Sequence, residues 1–137
     1  FQNSKFYNVI DKFITNALNE KNIILNGNGT QLVDFIHISD LMRVFPNFLE
    51  IENNNIFNIS NGERLEICKV AERISHIASN TYNKKSFIEK CDGRKLPDIP
   101  STSSNRIVTN FGWKTNQDVI KRLEEIFEMY SKYSFGS

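Results

Sequence analysis

Apolar residues recur along this chain with two different periods, and the switches between them mark its elements. From residue 4 to 20, Phe6, Val9, Ile10, Phe13, Ile14, Ala17 and Leu18 fall at steps of three and four. They share one face of a helix, with Asp11, Lys12, Asn16 and Asn19 opposite. The short run Ile23-Ile24-Leu25 ends in Asn26-Gly27-Asn28-Gly29, residues that tolerate positive φ and predict a turn. Val33 to Ile38 is β-branched and aromatic and reads as a strand. Ser39 or Asp40 would cap a helix through Leu41, Met42, Val44, Phe45, Phe48 and Leu49, which Pro46 should kink or divide. Ile56 to Ile59 reads as a short strand and Asn61-Gly62 as a turn. Ile67, Val70, Ala71, Ile74, Ile77 and Ala78 then define the strongest amphipathic helix, followed by a strand at Ser86 to Glu89.

Gly93, Pro97 and Pro100 break all periodicity between residues 91 and 105. A short helix around 105–110 should stop at Gly112. The last helix begins after Thr115-Asn116-Gln117-Asp118, which has capping-box spacing, and buries Val119, Ile120, Leu123, Ile126, Phe127 and Tyr130. Helices alternating with short strands in 137 residues predict one small mixed α/β domain spanning 1–137.

Composition narrows the function classes. Apolar residues make up 39% and charged ones 24%, as in soluble globular proteins. Seventeen basic residues face sixteen acidic ones, a net charge of +1, which argues against a general grip on nucleic acid or an anionic membrane. The longest apolar runs are too short to cross a bilayer. The first residues form no signal peptide and lack an initiator Met, which suggests a processed or cut chain, and the two cysteines read as buried or free thiols in a reducing cytoplasm. Cys68 and Cys91 form no CxxC, and four zinc ligands at the usual spacing are not visible.

Three groups of residues invite a chemical reading. The Asn26–Gly29 turn could cradle a phosphate on its backbone amides, but it lacks a Walker lysine and opens no clear helix, so a structural turn is preferred. Asp34, His37 and Asp40 lie within seven residues. A strand would send Asp34 and His37 to opposite faces, and Asp40 is better explained as a cap. Arg94, Lys95, Asp98 and Arg106 lie in or beside the irregular segment. Guanidinium grips phosphate as a fork and carboxylate accepts ribose hydroxyls, although a solvated surface loop would have the same composition. No nucleophile elbow occurs. None of Tyr7, Tyr82, Tyr130 or Tyr133 has a lysine four residues on, so no catalytic residue is assigned.

The order of segments carries a resemblance. Val9 to Ile14 followed by Ile23 to Gln31 resembles the "viPkFi … i.i.GdGtq" stretch of the NAD-dependent sugar-nucleotide epimerase/dehydratase family, the extended short-chain dehydrogenases. Asp34 to Leu41 resembles their "RDFihVdDl", Ile56 to Gly62 their "yNigsG", and Phe111 to Thr115 their "lGWkP". The match is collinear but covers only the family's C-terminal, substrate-binding part. It implies a small mixed α/β domain with elements that would pack on a missing N-terminal Rossmann half, in particular around Asp34–Leu49 and Ile56–Ser60. The cofactor, NAD or NADP, and the catalytic Tyr-x-x-x-Lys pair would belong to that half, so this chain would hold neither. A nucleoside diphosphate sugar is the implied ligand, in a polysaccharide or deoxysugar pathway. The backbone around Ile24 to Asn26 is similar to the one that meets the base, and Arg94 and Asp98 resemble the residues that hold diphosphate and ribose. Val33 stands where the family commonly has a diphosphate-binding arginine, which implies a different grip. The alternative is a non-catalytic binding or interaction module on the same fold.

Overall fold

A computed structural model describes residues 8–49, 56–99 and 110–133. Helix α1 (Val9–Leu18) starts at Asn8, whose side chain accepts from the Asp11 amide while the Asp11 carboxylate accepts from the Asn8 amide. This reciprocal box satisfies two of the helix's orphan donors. Strand β1 (Ile23–Leu25) follows, then β2 (Leu32–Asp34) and helix α2 (Ile38–Phe48). After β3 (Arg64–Glu66) the chain runs through α3 (Ile67–Tyr82) and β4 (Ile88–Lys90) to the last helix, here α4 (Val119–Tyr133). β1 pairs in parallel with β4, with Ile24 opposite Glu89, and β2 pairs antiparallel with β3, with Val33 opposite Leu65. The mixed α/β class expected from the sequence is what the chain forms.

The main core lies where α1, α3 and α4 pack on one another and α1 and α3 pack on β1. All six apolar positions read for α3 are buried, and Asn83, in the left-handed region at φ 51°, ends that helix. Ile14, Ile23, Leu25, Ile74, Leu123 and Phe127 are fully enclosed, and Tyr82 lies 4.8 Å from Phe127, ring to ring.

A second, smaller cluster surrounds Val44 and Trp113. Ile36, Leu41, Phe48, Phe57, Ile59 and Phe111 pack around them, with Phe48 and Phe111 edge to face at 6.4 Å. α2 therefore rests mainly on loop residues. Its opposite side carries Ile38, Met42, Phe45 and Leu49, spaced four, three and four apart and 60, 57, 51 and 89% exposed. The helix is apolar on two faces.

Several local expectations are corrected. The strand expected over Val33–Ile38 ends at Asp34, and His37 caps α2, its Nδ1 accepting from the Ser39 amide at 3.2 Å. Asp40 is thus not the cap. It lies inside the first turn, 1% exposed, with its carboxylate turned toward the loop before α4. Pro46 does not divide α2, which runs unbroken from Ile38 to Phe48 with the proline in its final turn. Ile56 to Ile59 is not a strand. Phe57 and Ile59 turn instead into the aromatic cluster. The strand expected at Ser86 begins at Ile88, since the Ser86 hydroxyl donates to the Lys21 carbonyl and its own carbonyl accepts from Ser75. Asp118, not Thr115, caps α4, accepting from the amides of Ile120 and Lys121. The short helix expected around 105–110 and the first residues expected in α1 lie largely outside the described residues.

Candidate functional site

The end of β1 and the loop after β4 are joined by hydrogen bonds, and the four candidate ligand residues lie on these two segments. β1 alternates as a half-buried strand does. Ile23 and Leu25 enter the core, while Ile24 faces out and is 47% exposed. Asn26 follows, also exposed, with its Oδ1 3.9 Å from Cys91 Sγ. The turn that follows rests on Gly27 and Gly29, with φ of 69° and 81°. At Gly27 space forbids a side chain as firmly as φ does. A Cβ there would sit 2.6 Å from the Arg94 carbonyl oxygen and 2.8 Å from Leu96 Cγ.

Into that gap the second loop settles. The Cys91 amide donates to the Leu25 carbonyl and the Asn28 amide to the Arg94 carbonyl, both at 2.9 Å. Further on, the Leu32 amide donates to Asp98 Oδ1, and the Ile99 amide to the Leu32 carbonyl, both at 3.0 Å. The segments 26–32 and 91–99 are thereby zipped together by hydrogen bonds that no local sequence pattern announces.

Arg94 and Asp98 share this loop but differ in what they touch. The Arg94 side chain is 82% exposed. Its Nε and Nη2 donate to Asp92 Oδ2 at 3.1 and 2.9 Å, while its amide donates to Asp92 Oδ1 at 2.9 Å. These bonds hold the Asp92 carboxyl below the usual carboxylate range. Asp98 is half-buried, and one of its oxygens is engaged by Leu32. It therefore anchors the loop as well as edging the site. Val33 is half-buried and packs against the main core.

The other candidate groups are structural. The Asn28 amide is taken by Arg94, and the Thr30 amide by Asn28 Oδ1 at 3.0 Å. The carbonyls of Gly29 and Gln31 accept from Cys68 and Ile67 at the start of α3. The glycine turn thus caps a helix and seats a loop, and its committed amides do not fit a dinucleotide pyrophosphate. Asp34 accepts from the amides of Asn61 and Gly62 at 3.0 and 3.2 Å. Asp40 accepts from those of Asn116 and Gln117, both at 3.1 Å, and pairs with Arg43 at 2.9 Å. With His37 capping α2, the three form no acid–base group. Burial, and then the Glu66 carboxylate 3.4 Å from its sulfur, push the Cys68 thiol above its ordinary value. Among the described residues no group of three His, Cys, Asp or Glu side chains is placed to hold a metal ion, and no helix is long and apolar enough to cross a membrane. Two open grooves lie elsewhere, one between α3 and α4 and one between 61–65 and 115–120. Neither is lined by Ile24, Asn26, Arg94 or Asp98.

Comparison with known proteins agrees with this fold. Residues 2–60 match the sequence profile of the NAD dependent epimerase/dehydratase family. A mouse (Mus musculus) dTDP-D-glucose 4,6-dehydratase is 21% identical over 128 residues, covering 90% of this chain and 36% of that protein. A dTDP-glucose 4,6-dehydratase from Bacillus anthracis, solved in complex with NAD, superposes with a TM-score of 0.74 at 21% identity, over 94% of this chain and 40% of its own. A UDP-glucose 4-epimerase from Thermotoga maritima, solved with UDP-glucose, gives 0.72 at 20% identity, over 91% and 40%. Over residues 2–60 the chain is similar in sequence to the NAD dependent epimerase/dehydratase family, and its fold is that of these solved structures. It spans about two-fifths of the length of these proteins.

Proposed function

We propose that this chain is the C-terminal, substrate-binding portion of an NAD- or NADP-dependent nucleotide-sugar epimerase, dehydratase or reductase, and that it binds a nucleoside diphosphate sugar. The observation that carries this reading is the junction of segments 26–32 and 91–99. It seats the loop that carries Arg94 and Asp98 against the turn that begins at Asn26, in a fold like that of enzymes solved with UDP-glucose or NAD, and this supports the reading. In this reading the outward face of β1 at Ile24 and Asn26 receives the base, Arg94 the diphosphate and Asp98 a ribose hydroxyl. A guanidinium suits a diphosphate because its fork matches two phosphate oxygens.

The hydride chemistry of such enzymes belongs to their nicotinamide cofactor. This chain's own contribution is to bind and orient the sugar nucleotide, which can matter greatly for rate without making or breaking a bond. The exposed ridge of Ile38, Met42, Phe45 and Leu49 is then the seat of the cofactor-binding half. Calorimetric titration of the 137-residue chain with UDP-glucose and dTDP-glucose tests the reading. Saturable binding without turnover is expected. Absence of binding to either, or turnover by the chain free of any complementing half, would overturn it.

A second reading has one observation in its favour. Val33 offers no donor where the family commonly carries an arginine, and it packs against the core. A non-catalytic binding module derived from this fold would tolerate that loss. The coding sequence upstream discriminates, because an enzyme requires a glycine-rich βαβ opening and a Tyr-x-x-x-Lys pair there.

A further inference from the structure

We infer that Asp92 is a positioning residue for the anionic part of the ligand, aligning the Arg94 guanidinium so that its end-on edge meets the diphosphate. The inference rests on the reading of Arg94 given above and adds a residue to it. An exposed arginine alone samples many rotamers, and ordering it on a ligand lowers affinity. Here the order is already present. The backbone of Arg94 is fixed by its carbonyl, seated over Gly27 and bonded to the Asn28 amide. The side chain is fixed by Asp92, whose single Oδ2 accepts from both Nε and Nη2 while Oδ1 holds the Arg94 amide.

The geometry of that contact matters. A guanidinium carries five N–H groups in one plane. Asp92 meets it side-on, through the Nε edge, and so takes two of them. One hydrogen of Nη1 and the outer hydrogen of Nη2 form the end-on fork, which these bonds leave open. Two phosphate oxygens fit that fork. Asp92 also stays ionised, because the arginine bonds hold its carboxyl below the ordinary range.

Simple electrostatics predicts the opposite sign for its removal. A carboxylate beside a phosphate site repels the ligand, so deleting its charge should tighten binding. Alignment predicts that deleting it weakens binding. The test is calorimetric titration of UDP-glucose and dTDP-glucose against the chain and its Asp92→Asn, Arg94→Ala and doubly substituted variants, with thermal midpoints as a control. Asp92→Asn keeps the Oδ1 acceptor for the loop amide. We expect it to bind about three- to fivefold more weakly, with an unchanged midpoint. Arg94→Ala should weaken binding more than tenfold, and the double variant should be no weaker than Arg94→Ala. If Arg94→Ala binds as tightly as the unsubstituted chain, or that chain does not bind, the reading of the site fails and this inference with it. If Arg94→Ala weakens binding but Asp92→Asn binds equally or more tightly, the inference alone fails. It also fails if Asp92→Asn weakens binding equally in the Arg94→Ala background.

Discussion

Two regions of this molecule bury apolar residues by different means. The α1–α3–α4 region closes on itself. Each helix meets another helix, and β1 lies against α3, so one face of every element is covered by regular structure. The α2 region is closed on one side only. Val44 and Trp113 are enclosed by loop residues, and Asp40 fastens the helix to them through the amides of Asn116 and Gln117. The Trp113 indole adds a bond to the Asp40 carbonyl at 3.1 Å, and the Arg43 guanidinium reaches both the Asp40 carboxylate and the Lys114 carbonyl. The far side of α2 remains apolar and open. The first region is stabilised chiefly by burial of apolar side chains. The second depends on a buried, fully bonded charge, and such a charge is costly to unpair.

This contrast can be broken or sharpened by substitution. The largest effect is expected in the closed region. Phe127→Ala should destabilise the fold by about 3–5 kcal/mol, as deletion of an enclosed aromatic does, and denaturant unfolding would show it as one cooperative shift. Next comes Asp40→Ala, which leaves two partly buried amides and the Arg43 guanidinium without their buried partner and should cost about 2–4 kcal/mol. Its signature is local. Hydrogen exchange should quicken in α2 and at residues 113–117 while α3 stays protected. Equal loss of protection in α3 would show that the two regions form one cooperative unit. The smallest effect on stability belongs to the ridge. Met42→Ser with Phe45→Ser should change the unfolding free energy by less than about 0.5 kcal/mol while reducing self-association of the isolated chain, read by analytical ultracentrifugation. A large loss of stability there would mean that α2 is already covered from within.

The closed region was largely legible in the sequence. The helical spacing from Ile67 to Ala78 names the buried face of α3 residue for residue, because one dominant apolar stripe leaves no other way to turn the helix. The α2 region was harder. Met42 and Phe45 share the sequence pattern of Val44 and Phe48, and a helix apolar on two faces does not disclose which one lies inward. Asp40 reads as a cap because Ser39-Asp40 precedes an apolar run, whereas its partners lie some 76 residues away. β3 was missed because three residues with a single apolar side chain, Leu65, are too short a run to establish an alternation. At the candidate site, the spacing of Arg94 and Asp98 marked a loop able to hold an anion. Nothing local showed that Asp92 would clasp the arginine or that Leu32 would engage Asp98.

The parallel pairing of β1 with β4 also sets an order of assembly. Parallel neighbours require a crossover, and here the partners stand about 65 residues apart. Three residues on each strand offer little reward for closing so long a span before α3 has docked. The pair, and the loop bearing Arg94 beyond it, therefore form after the folding barrier has been crossed. Truncations at Leu25 or Ile88 would accordingly act on how fast the native state comes apart, leaving its rate of formation nearly untouched.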